Sequence, residues 1–261
     1  MQRDSRAKAV VVLPPAAAKR LIARGVAALP QVRRALEEGL VVVALGTTNA
    51  YVAEELTGRR VDPASYCAGY VGRTLSVVPA ARQGRELVLE RGRPVELSPE
   101  EVQARLKAGD VIIKGGNVLD PEGVCGVFIA SGTGGTVGRY AAAALARGVE
   151  IVIPISKIKS VHRRVVDLAR ELGAQRVRAT GLAVGLYPLV GTVVTETEAA
   201  SLLYGVEATH LGSGGVGAGE AAVVLLLSGE EEKVDRAFQE LAALAHEEPP
   251  LHFHADDCKT G

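Results

Sequence analysis

The chain has 261 residues, 48% of them apolar, and its 30 basic and 30 acidic residues give a formal net charge of zero. This length suffices for one large domain or for a domain with a smaller companion. The balanced charge argues against nucleic-acid binding through bulk positive charge, and the 3% aromatic content disfavours a base-stacking surface. We therefore expect no nucleic-acid partner.

The cysteines and the apolar runs indicate where the protein works. Cys67, Cys125 and Cys258 are far apart and form no Cys-x-x-Cys pair, which is typical of a reducing compartment. No charge-free apolar run reaches the roughly 18 residues of a membrane helix, and residues 1–8 lack a hydrophobic signal core. The sequence predicts a cytoplasmic protein with no membrane partner.

The N-terminal part alternates apolar strands with helices. Ala7–Leu13 is predicted as a buried strand, and Pro14-Pro15 begin a helix that Pro30 interrupts. The run Leu40–Leu45 is apolar throughout, which is typical of a parallel strand covered on both faces. A Gly-Thr-Thr-Asn turn then leads into the helix Ala50–Leu56.

This turn offers hydrogen bonds to an anion. Gly46, Thr47, Thr48 and Asn49 would combine backbone N–H groups, hydroxyls and an amide at a helix N-terminus. The alternative is that Thr48 or Asn49 only caps the helix. Asn occurs only twice in the chain, at Asn49 and Asn117, and both copies follow predicted strands, which favours ligand contacts.

Residues 58–98 are less regular. Strands are predicted at Thr74–Val78 and Glu86–Leu89, and a capping box beginning at Ser98 starts a short helix.

The stretch Asp110–Lys159 holds most of the candidate site. Its strands are predicted at Val111–Ile113, Val127–Ala130 and Glu150–Pro154, with a helix at Val137–Arg147. Polar strand ends and a helix N-terminus on one edge of a parallel sheet form the usual ligand cleft of an open α/β fold. The ligand-binding candidates in this stretch are Gly115, Gly116, Asn117, Ser131, Gly132, Thr133, Gly134, Gly135, Thr136 and Ser156.

Lysines and carboxylates supply the candidate catalytic groups. Lys114 and Lys157 would be electrophilic or acid/base groups, with Asp120 or Glu196 as the carboxylate. Other carboxylates that could reach a bound anion are Glu198 and Glu220.

From Gly181 the pattern changes. After a last strand at Arg176–Ala179, the chain is predicted to form a strand at Val184–Thr195, a helix, two strands and a long helix, Glu230–His246. This order predicts a small α+β domain of ferredoxin-like character in residues 181–247, after an α/β domain in residues 1–180. The run Gly212–Gly219 is predicted to cover the cleft as a flap; since no helix follows it, no dinucleotide cofactor is expected.

Residues 248–261 form a polar C-terminal tail. His252 and His254 would face the same way on an extended segment, with Asp256 nearby, so they are the candidates if a metal binds. Such a tail is also a common place for solvated polar residues. We predict no metal site and no cofactor.

Gly46–Ala50 and Asp110–Lys157 together resemble the ISOCOT superfamily, which includes ribose-5-phosphate isomerase A, CoA transferases and the effector domains of DeoR-type regulators. The turn at Gly46 resembles the first phosphate loop of those regulators. The run Asp110–Pro121 is similar to the acidic turn of the isomerase, Gly132–Gly135 to its glycine loop, and Ser156-Lys157 to its Ser-Lys pair. The resemblance covers the first 160 to 180 residues and implies a sugar-phosphate or similar anion in the cleft.

The sequence departs from the isomerase where the chemistry is done. The position of its carboxylate base falls at Tyr140 or Arg139, and that of its loop lysine at Ser131. Two acidic-turn positions become Lys114 and Asn117, so only Asp120 remains there. Such a turn would hold an anion well and abstract a proton poorly, so aldose–ketose isomerisation is not expected.

The residues before Gly46 also do not match the winged DNA-binding helices of a DeoR regulator. We therefore expect an α/β protein with a three-layer, Rossmann-like, mostly parallel sheet and a smaller α+β domain. It should bind a small anionic metabolite such as a phosphosugar, a nucleotide or an acyl-CoA-like ligand. We expect a small-molecule enzyme, or alternatively a non-catalytic sensor on a degenerate isomerase fold, assembled as a homo-oligomer.

Overall fold

The computed structural model describes residues 6–249, except for the side chain of Ala218, and shows a mixed α/β architecture. The strands are β1 (Ala7–Leu13), β2 (Leu40–Val43), β3 (Gly69–Val71), β4 (Leu75–Val77), β5 (Leu87–Glu90), β6 (Arg93–Val95), β7 (Val111–Ile113), β8 (Val118–Leu119), β9 (Cys125–Ile129), β10 (Glu150–Pro154), β11 (Gly185–Leu189), β12 (Thr192–Val194), β13 (Glu207–Gly214) and β14 (Ala222–Gly229). The helices are α1 (Pro15–Ala28), α2 (Pro30–Glu38), α3 (Thr47–Thr57), α4 (Pro99–Arg105), α5 (Gly135–Arg147), α6 (Val165–Glu171), α7 (Glu196–Tyr204) and α8 (Glu231–Glu247). Short 3-10 helices span Ala80–Arg82, Lys157–Lys159 and Gly217–Gly219.

The central sheet has six strands in the order β12-β10-β7-β2-β5-β6. The first four run parallel to one another, whereas β5 pairs antiparallel with β2 and β6 antiparallel with β5. The predicted α/β class is confirmed at this level, as a mixed sheet with a parallel half.

Apolar residues cover this sheet on both faces, because successive side chains of a strand point to opposite sides. On one face, Val41, Val43 and Ile113 pack with residues of α1, α3, α7 and α8. On the other face, Val42 and Ile112 pack with residues of α4 and α5. Burying one such side chain stabilises the fold by about 1.5–3 kcal/mol. The polar ends of these strands are therefore confined to the edges of the sheet.

Several predicted boundaries are confirmed. The first strand is found at Ala7–Leu13, and Pro15 and Pro30 occupy the first positions of α1 and α2, so the helix breaks where expected. Ser98 caps α4 through a complete capping box with Glu101.

Two predicted strands are wrong. Residues 176–179 form turns and irregular structure, and the predicted strand Val184–Thr195 divides into β11 and β12, which join different sheets. The break falls at Gly191, where an added Cβ would lie 2.3 Å from the carbonyl oxygen of Ile151. The backbone approaches β10 this closely only because the residue has no side chain.

The smaller sheets connect the two ends of the chain. An antiparallel sheet has the order β1-β14-β13, so the α+β part includes the first strand, which the sequence analysis had placed in the first domain. Pairing of β9 with β11, and of β10 with β12, also crosses the predicted boundary near residue 180. The two predicted segments thus share three sheets. None of the described helices is long and apolar enough to cross a membrane.

Helices α1 and α7 pack closely at Gly25. An added Cβ there would lie 2.5 Å from the Cβ of Ala199 in α7. Because α7 begins at Glu196, this contact sets how closely the start of α7 approaches α1.

We expect Gly25→Ala to lower the stability by about 1–2 kcal/mol. Overpacking costs about 1–3 kcal/mol, and better helix propensity returns up to about 1 kcal/mol. The melting temperature by differential scanning calorimetry measures the effect. Adding Ala199→Gly should recover part of the loss, and a Gly25→Ala protein that melts above the wild type would contradict this account of the contact.

Candidate functional site

Four parallel strands end at the same edge of the central sheet, and each is followed by polar groups. Asn49 follows β2, Lys114 follows β7, Ser156 and Lys159 follow β10, and Glu196 follows β12. In open α/β sheets, ligands bind outside the carboxyl ends of the strands, near the point where the strand order reverses. Here the chain moves from β2 to β5 on one side and later to β7 on the other, so that point lies between β2 and β7.

The side chain of Asn49 lies at this point. It is fully buried, and its Nδ2 donates to the carbonyl oxygens of Ala44 (2.8 Å) and Ile113 (3.2 Å), the residues at the ends of the two strands. Gly115 lies beside this amide, since a Cβ added at Gly115 would be 3.6 Å from Asn49 Oδ1. Within residues 6–249, Oδ1 is one of two buried side-chain oxygens without a hydrogen-bond partner.

Three lysines converge beside this amide. Lys114 Nζ donates to the carbonyl oxygen of Gly115 (2.9 Å), and Lys159 Nζ donates to that of Gly116 (2.7 Å). Lys19 comes from α1 and is close enough to Lys159 to repel its charge. The side chains are partly exposed, and in the described chain no ion pair joins any of the three to a carboxylate.

Burial lowers the pKa of all three amines, and repulsion by the other two lowers that of Lys159 further. Burial lowers the pKa of Lys159 to about 8, and the charges of Lys19 and Lys114 act in the same direction. Burial also lowers the pKa of Lys114 to about 8, although Glu86 opposes the shift. The pKa of Lys19 is lowered by burial and partly restored by Glu196. The cluster therefore combines positive charge with amines that lose protons near neutral pH.

Glu196 brings a buried carboxyl group to the lysines. It is fully buried at the first position of α7, and its Oε2 accepts a hydrogen bond from the backbone N–H of Lys157 (2.9 Å). Its Oε1 is the second buried oxygen without a partner in the described part of the chain. Burial raises the pKa of Glu196, and the Ser156 hydroxyl and the N–H of Lys157 oppose this shift. A buried carboxyl group with a raised pKa, beside amines, is a candidate for proton transfer.

Glu86 and the start of α5 bound the cleft beside Lys114. Glu86 Oε1 accepts from Thr136 Oγ1 (3.0 Å), and Oε2 accepts from the Tyr140 hydroxyl (2.9 Å). Lys114, Thr136 and Tyr140 line one small cavity with the apolar side chains of Ile112, Val137, Ala141, Ile151 and Leu189. Tyr140, the position that the resemblance assigned to the isomerase base, thus binds a carboxylate without being one.

The glycine-rich loop is placed differently from the prediction. It follows β9, which belongs to the sheet β11-β9-β8 and not to the central sheet. Ser131, Gly132 and Thr133 are exposed, and the Ser131 hydroxyl bonds to that of Thr133 (2.9 Å). Gly134 and Gly135 adopt positive φ angles of 74° and 58° where α5 begins. Only the end of the loop, at Thr136, reaches the cleft.

Asp120 and Asn117 bind the backbone. Asp120 Oδ1 accepts from the N–H groups of Glu122 (2.9 Å) and Val124 (2.8 Å), and Oδ2 accepts from that of Val165 (2.9 Å). Asn117 Oδ1 accepts from the N–H of Phe128 (3.0 Å). These bonds hold the turn after β8, the start of α6 and strand β9, which indicates structural roles.

The first turn of α3 and the short helix after β10 complete the edge. Gly46 precedes α3, and Thr47, Thr48 and Asn49 form its first turn. The Ser156 hydroxyl accepts from the N–H of Ile158 (3.3 Å) at the start of the short 3-10 helix.

Lys157 faces the α+β side of the cleft. Its charge lowers the pKa of Glu198, in addition to hydrogen bonds from Thr195, and opposes protonation of the partly buried His210 on β13. His210 Nε2 lies 2.8 Å from Ser213 Oγ in the glycine-rich segment that was predicted to cover the cleft. The amine that enters the lysine cluster is that of Lys159.

The site therefore includes three residues that the sequence analysis did not select. Lys19 is a single cation on an otherwise apolar helix face, a pattern that could have marked it as unusual. Lys159 follows Lys157 by two residues, so the choice between them depended on the local turn. Glu86 begins a predicted strand, and nothing in that strand indicated that its carboxylate lies within electrostatic range of Lys114.

The described residues include no candidate metal site. No group of three or more His, Cys, Asp or Glu side chains among residues 6–249 is arranged to hold an ion. The tail candidates His252, His254 and Asp256 lie outside the described residues.

No protein-family profile matches the chain, and no solved structure matches it. The chain is 32% identical over 129 residues to the 4-hydroxy-3-methylbut-2-enyl diphosphate reductase of Mycolicibacterium vanbaalenii. The match covers 46% of this chain and 35% of that protein, so the chain spans about a third of the curated relative.

We expect the stability of the protein to rise with pH because of the lysine cluster. Lys114 and Lys159 have pKa values of about 8 in the folded protein, against 10.5 in an unfolded chain. Between these values the unfolded chain binds more protons, so the free energy of unfolding increases with pH. Below about pH 8 the full penalty is present.

The measurement is the melting temperature from about pH 7.5 to about pH 9.5, a window below the titration of ordinary tyrosines. Wild type should gain stability relative to the double variant Lys114→Met/Lys159→Met across this window. The matched control is Lys233→Met, which removes a lysine paired with Glu230 at the surface. Parallel pH curves for wild type and the double variant would show that the two amines have ordinary basicity.

We expect Asp120→Asn to lower the stability by about 1–3 kcal/mol, since the new amide would place a donor against a backbone N–H. Asp120→Glu keeps the charge and should also destabilise, because the longer side chain cannot keep all three bonds. Both variants are compared by their melting temperatures. An Asp120→Asn protein as stable as the wild type would argue against the structural role.

Proposed function

We propose that the cleft at the carboxyl edge of the central sheet binds a small anionic metabolite, such as a phosphosugar, a nucleotide or an acyl-CoA-like compound. We further propose that the protein is a small-molecule enzyme other than a standard aldose–ketose isomerase. The observation that carries the proposal is the convergence of Lys19, Lys114 and Lys159 beside two buried oxygens without partners.

The lysine cluster favours an anionic ligand for an electrostatic reason. Like charges that share a partly buried site repel one another, and here no carboxylate forms an ion pair with them in the described chain. An anion between the amines would remove this repulsion and accept several charge-assisted hydrogen bonds. The ligand would thus add negative charge to that of Glu86 and Glu196, which lie within electrostatic range of the amines without forming ion pairs with them.

The two oxygens without partners favour a ligand that also donates hydrogen bonds. Asn49 Oδ1 and Glu196 Oε1 are buried acceptors, and a buried polar atom without a partner costs about 1–3 kcal/mol. A hydroxyl or amino group of the ligand would satisfy either one. The ligand would then be a polar organic anion.

Catalysis is favoured over simple binding by the groups that titrate near neutral pH. Lys114 and Lys159 lose protons near pH 8, and burial raises the pKa of Glu196. Acid and base groups whose pKa values are shifted by burial, and that lie within electrostatic range of one another, are typical of catalytic sites.

The sequence resemblance and the curated relative add modest support. The segments that resemble the ISOCOT superfamily include Gly115-Gly116 and Ser156-Lys157, which lie at the carboxyl edge beside the lysines. The relative is named as a reductase of a diphosphate, which agrees with an anionic ligand. A match over about a third of that enzyme supports no specific reaction for this chain.

The alternative is a non-catalytic sensor of such a metabolite. Asp120 favours it, because the one carboxylate left in the acidic turn is bonded to three backbone N–H groups. Turnover of a bound ligand would exclude the sensor.

The predictions of a cytoplasmic location and a homo-oligomer stay proposals. Cys125 is a free, buried thiol, which agrees with a reducing compartment. Size-exclusion chromatography with light scattering would measure the oligomeric state.

We expect anionic metabolites to raise the melting temperature of the purified protein. The screen uses phosphosugars, nucleotides, CoA esters and small dicarboxylates, with uncharged analogues beside them. A ligand at about 100 times its dissociation constant should stabilise by roughly 2.7 kcal/mol. Lys114→Ala and Lys159→Ala should each abolish most of the shift.

Lys233→Ala is the matched control, since Lys233 lies near Gly205, at the opposite end of α7 from Glu196: a Cβ added at Gly205 would be 3.6 Å from Lys233 Cδ. It should respond to the ligand as the wild type does. A screen in which no anion shifts the wild type, or in which Lys233→Ala weakens the response as much as Lys159→Ala, would reject the cleft as the anion site.

A further inference from the structure

Two lysine amines are held at one backbone turn in the cleft. Lys114 approaches from the end of β7 and Lys159 from the short helix after β10, and their amines donate to the consecutive carbonyl oxygens of Gly115 and Gly116. Because the two acceptors are neighbours in the chain, the amines lie near one another. This arrangement places two like charges close together.

The neighbours of Lys159 distinguish it from Lys114. Lys159 is affected by two other lysines, Lys19 and Lys114, whereas Lys114 has the carboxylate of Glu86 within electrostatic range. Of the two amines, Lys159 is also the one affected by Glu196, whose Oε1 has no partner among residues 6–249. An amine beside other cations keeps a reactive neutral fraction, and a nearby carboxyl group can transfer the protons of an addition reaction.

We propose that Lys159 is a catalytic nucleophile that forms an imine with an aldehyde or keto group of the anionic ligand, with Glu196 transferring the protons. The proposal rests on the proposed anion-binding function and extends it. The substrate class is a small carboxylate or phosphate ester that carries a reactive carbonyl. Lys19 and Lys114 bind its anionic group, and Lys159 attacks its carbonyl carbon.

The atoms balance without a cofactor. The lone pair of the neutral Lys159 amine forms a C–N bond to the carbonyl carbon, and the carbonyl oxygen takes a proton from Glu196. The resulting carbinolamine nitrogen returns a proton to Glu196, which then protonates the hydroxyl so that water leaves. The product is a protonated imine, the Glu196 carboxylate and one water molecule. The imine draws electrons from the adjacent carbon, so the reactions that follow occur at that carbon.

The proposed reaction accounts for the presence of three lysines close together. The positive charges of Lys19 and Lys114 attract the anion and keep Lys159 partly neutral at the same time. Burial lowers the pKa of Lys159 most, the two lysines lower it further, and Cys125 and Glu196 oppose them, with a result of about 8. This value leaves roughly a tenth of the amine neutral at pH 7. An isolated exposed lysine, with a pKa near 10.4, would have very little neutral amine.

The test is reductive trapping on the full-length protein. Glyoxylate and pyruvate are the carbonyl probes, sodium cyanoborohydride reduces any imine to a stable amine, and peptide mass spectrometry locates the modified lysine. We expect one predominant adduct, on Lys159, formed at least tenfold faster than on Lys233. Glycolate and lactate lack the aldehyde or keto group of the probes, so they should compete with the probes for binding and form no adduct.

Variants separate binding from covalent chemistry. Lys159→Arg keeps the charge and removes the nucleophile, so probe binding by thermal shift should persist while the adduct disappears. Lys114→Met removes one repelling charge, so the pH midpoint of adduct formation should move above the wild-type value near 8. Glu196→Gln keeps the shape and should slow trapping at least tenfold. If a variant does not fold, the position of the adduct and the pH profile of its formation in the wild type still test whether Lys159 is the nucleophile.

The outcomes distinguish this proposal from the function on which it rests. Probes that stabilise the protein without an adduct on Lys159, or with adducts spread evenly over surface lysines, overturn the imine and leave anion binding intact. If the Lys159→Arg variant still forms an adduct on another lysine of the cleft, the nucleophile is that lysine and the proposal for Lys159 is overturned. Failure of every anion, with or without a carbonyl, to shift the melting temperature or to form an adduct would reject both.

Discussion

The structure depends on a constraint at the centre of the sheet, where four parallel strands are covered by apolar side chains on both faces. Val41 to Val43 and Val111 to Ile113 leave polar groups no place except the strand ends. The two hydrogen bonds of the Asn49 amide join the ends of β2 and β7. The polar residues of four separate segments therefore meet at one edge of the sheet.

The cleft itself works against stability. Three lysines near one another and two buried oxygens without partners raise the free energy of the folded state. The apolar cores on the two faces of the central sheet, and close contacts such as that of Gly25 with Ala199, offset this cost. A site whose groups conflict until a ligand binds is a common feature of functional sites, where stability is lost in favour of binding and reactivity.

Packing between distant segments determines which groups take part. Glu196 reaches the lysines because α7 lies against α1, and Lys19 belongs to that same helix. The choice of Lys159 over Lys157 comes from the short helix after β10, where the Lys157 N–H binds Glu196 and the Lys159 amine turns to Gly116. Asp120 resembles a catalytic carboxylate in sequence, yet its oxygens are bonded to the backbone.

The sequence by itself determined the elements with strong local signals, such as the strand Ala7–Leu13, the break at Pro30 and the apolar strand beginning at Leu40. Tertiary structure alone decided that β1 pairs with β14, that β9 leaves the central sheet, and that Lys19, Glu86 and Lys159 join the site. The physical reason is the distance along the chain over which each interaction acts. Helix starts, prolines and apolar runs act within a few residues, whereas strand partners and side-chain encounters depend on contacts between segments far apart in the chain.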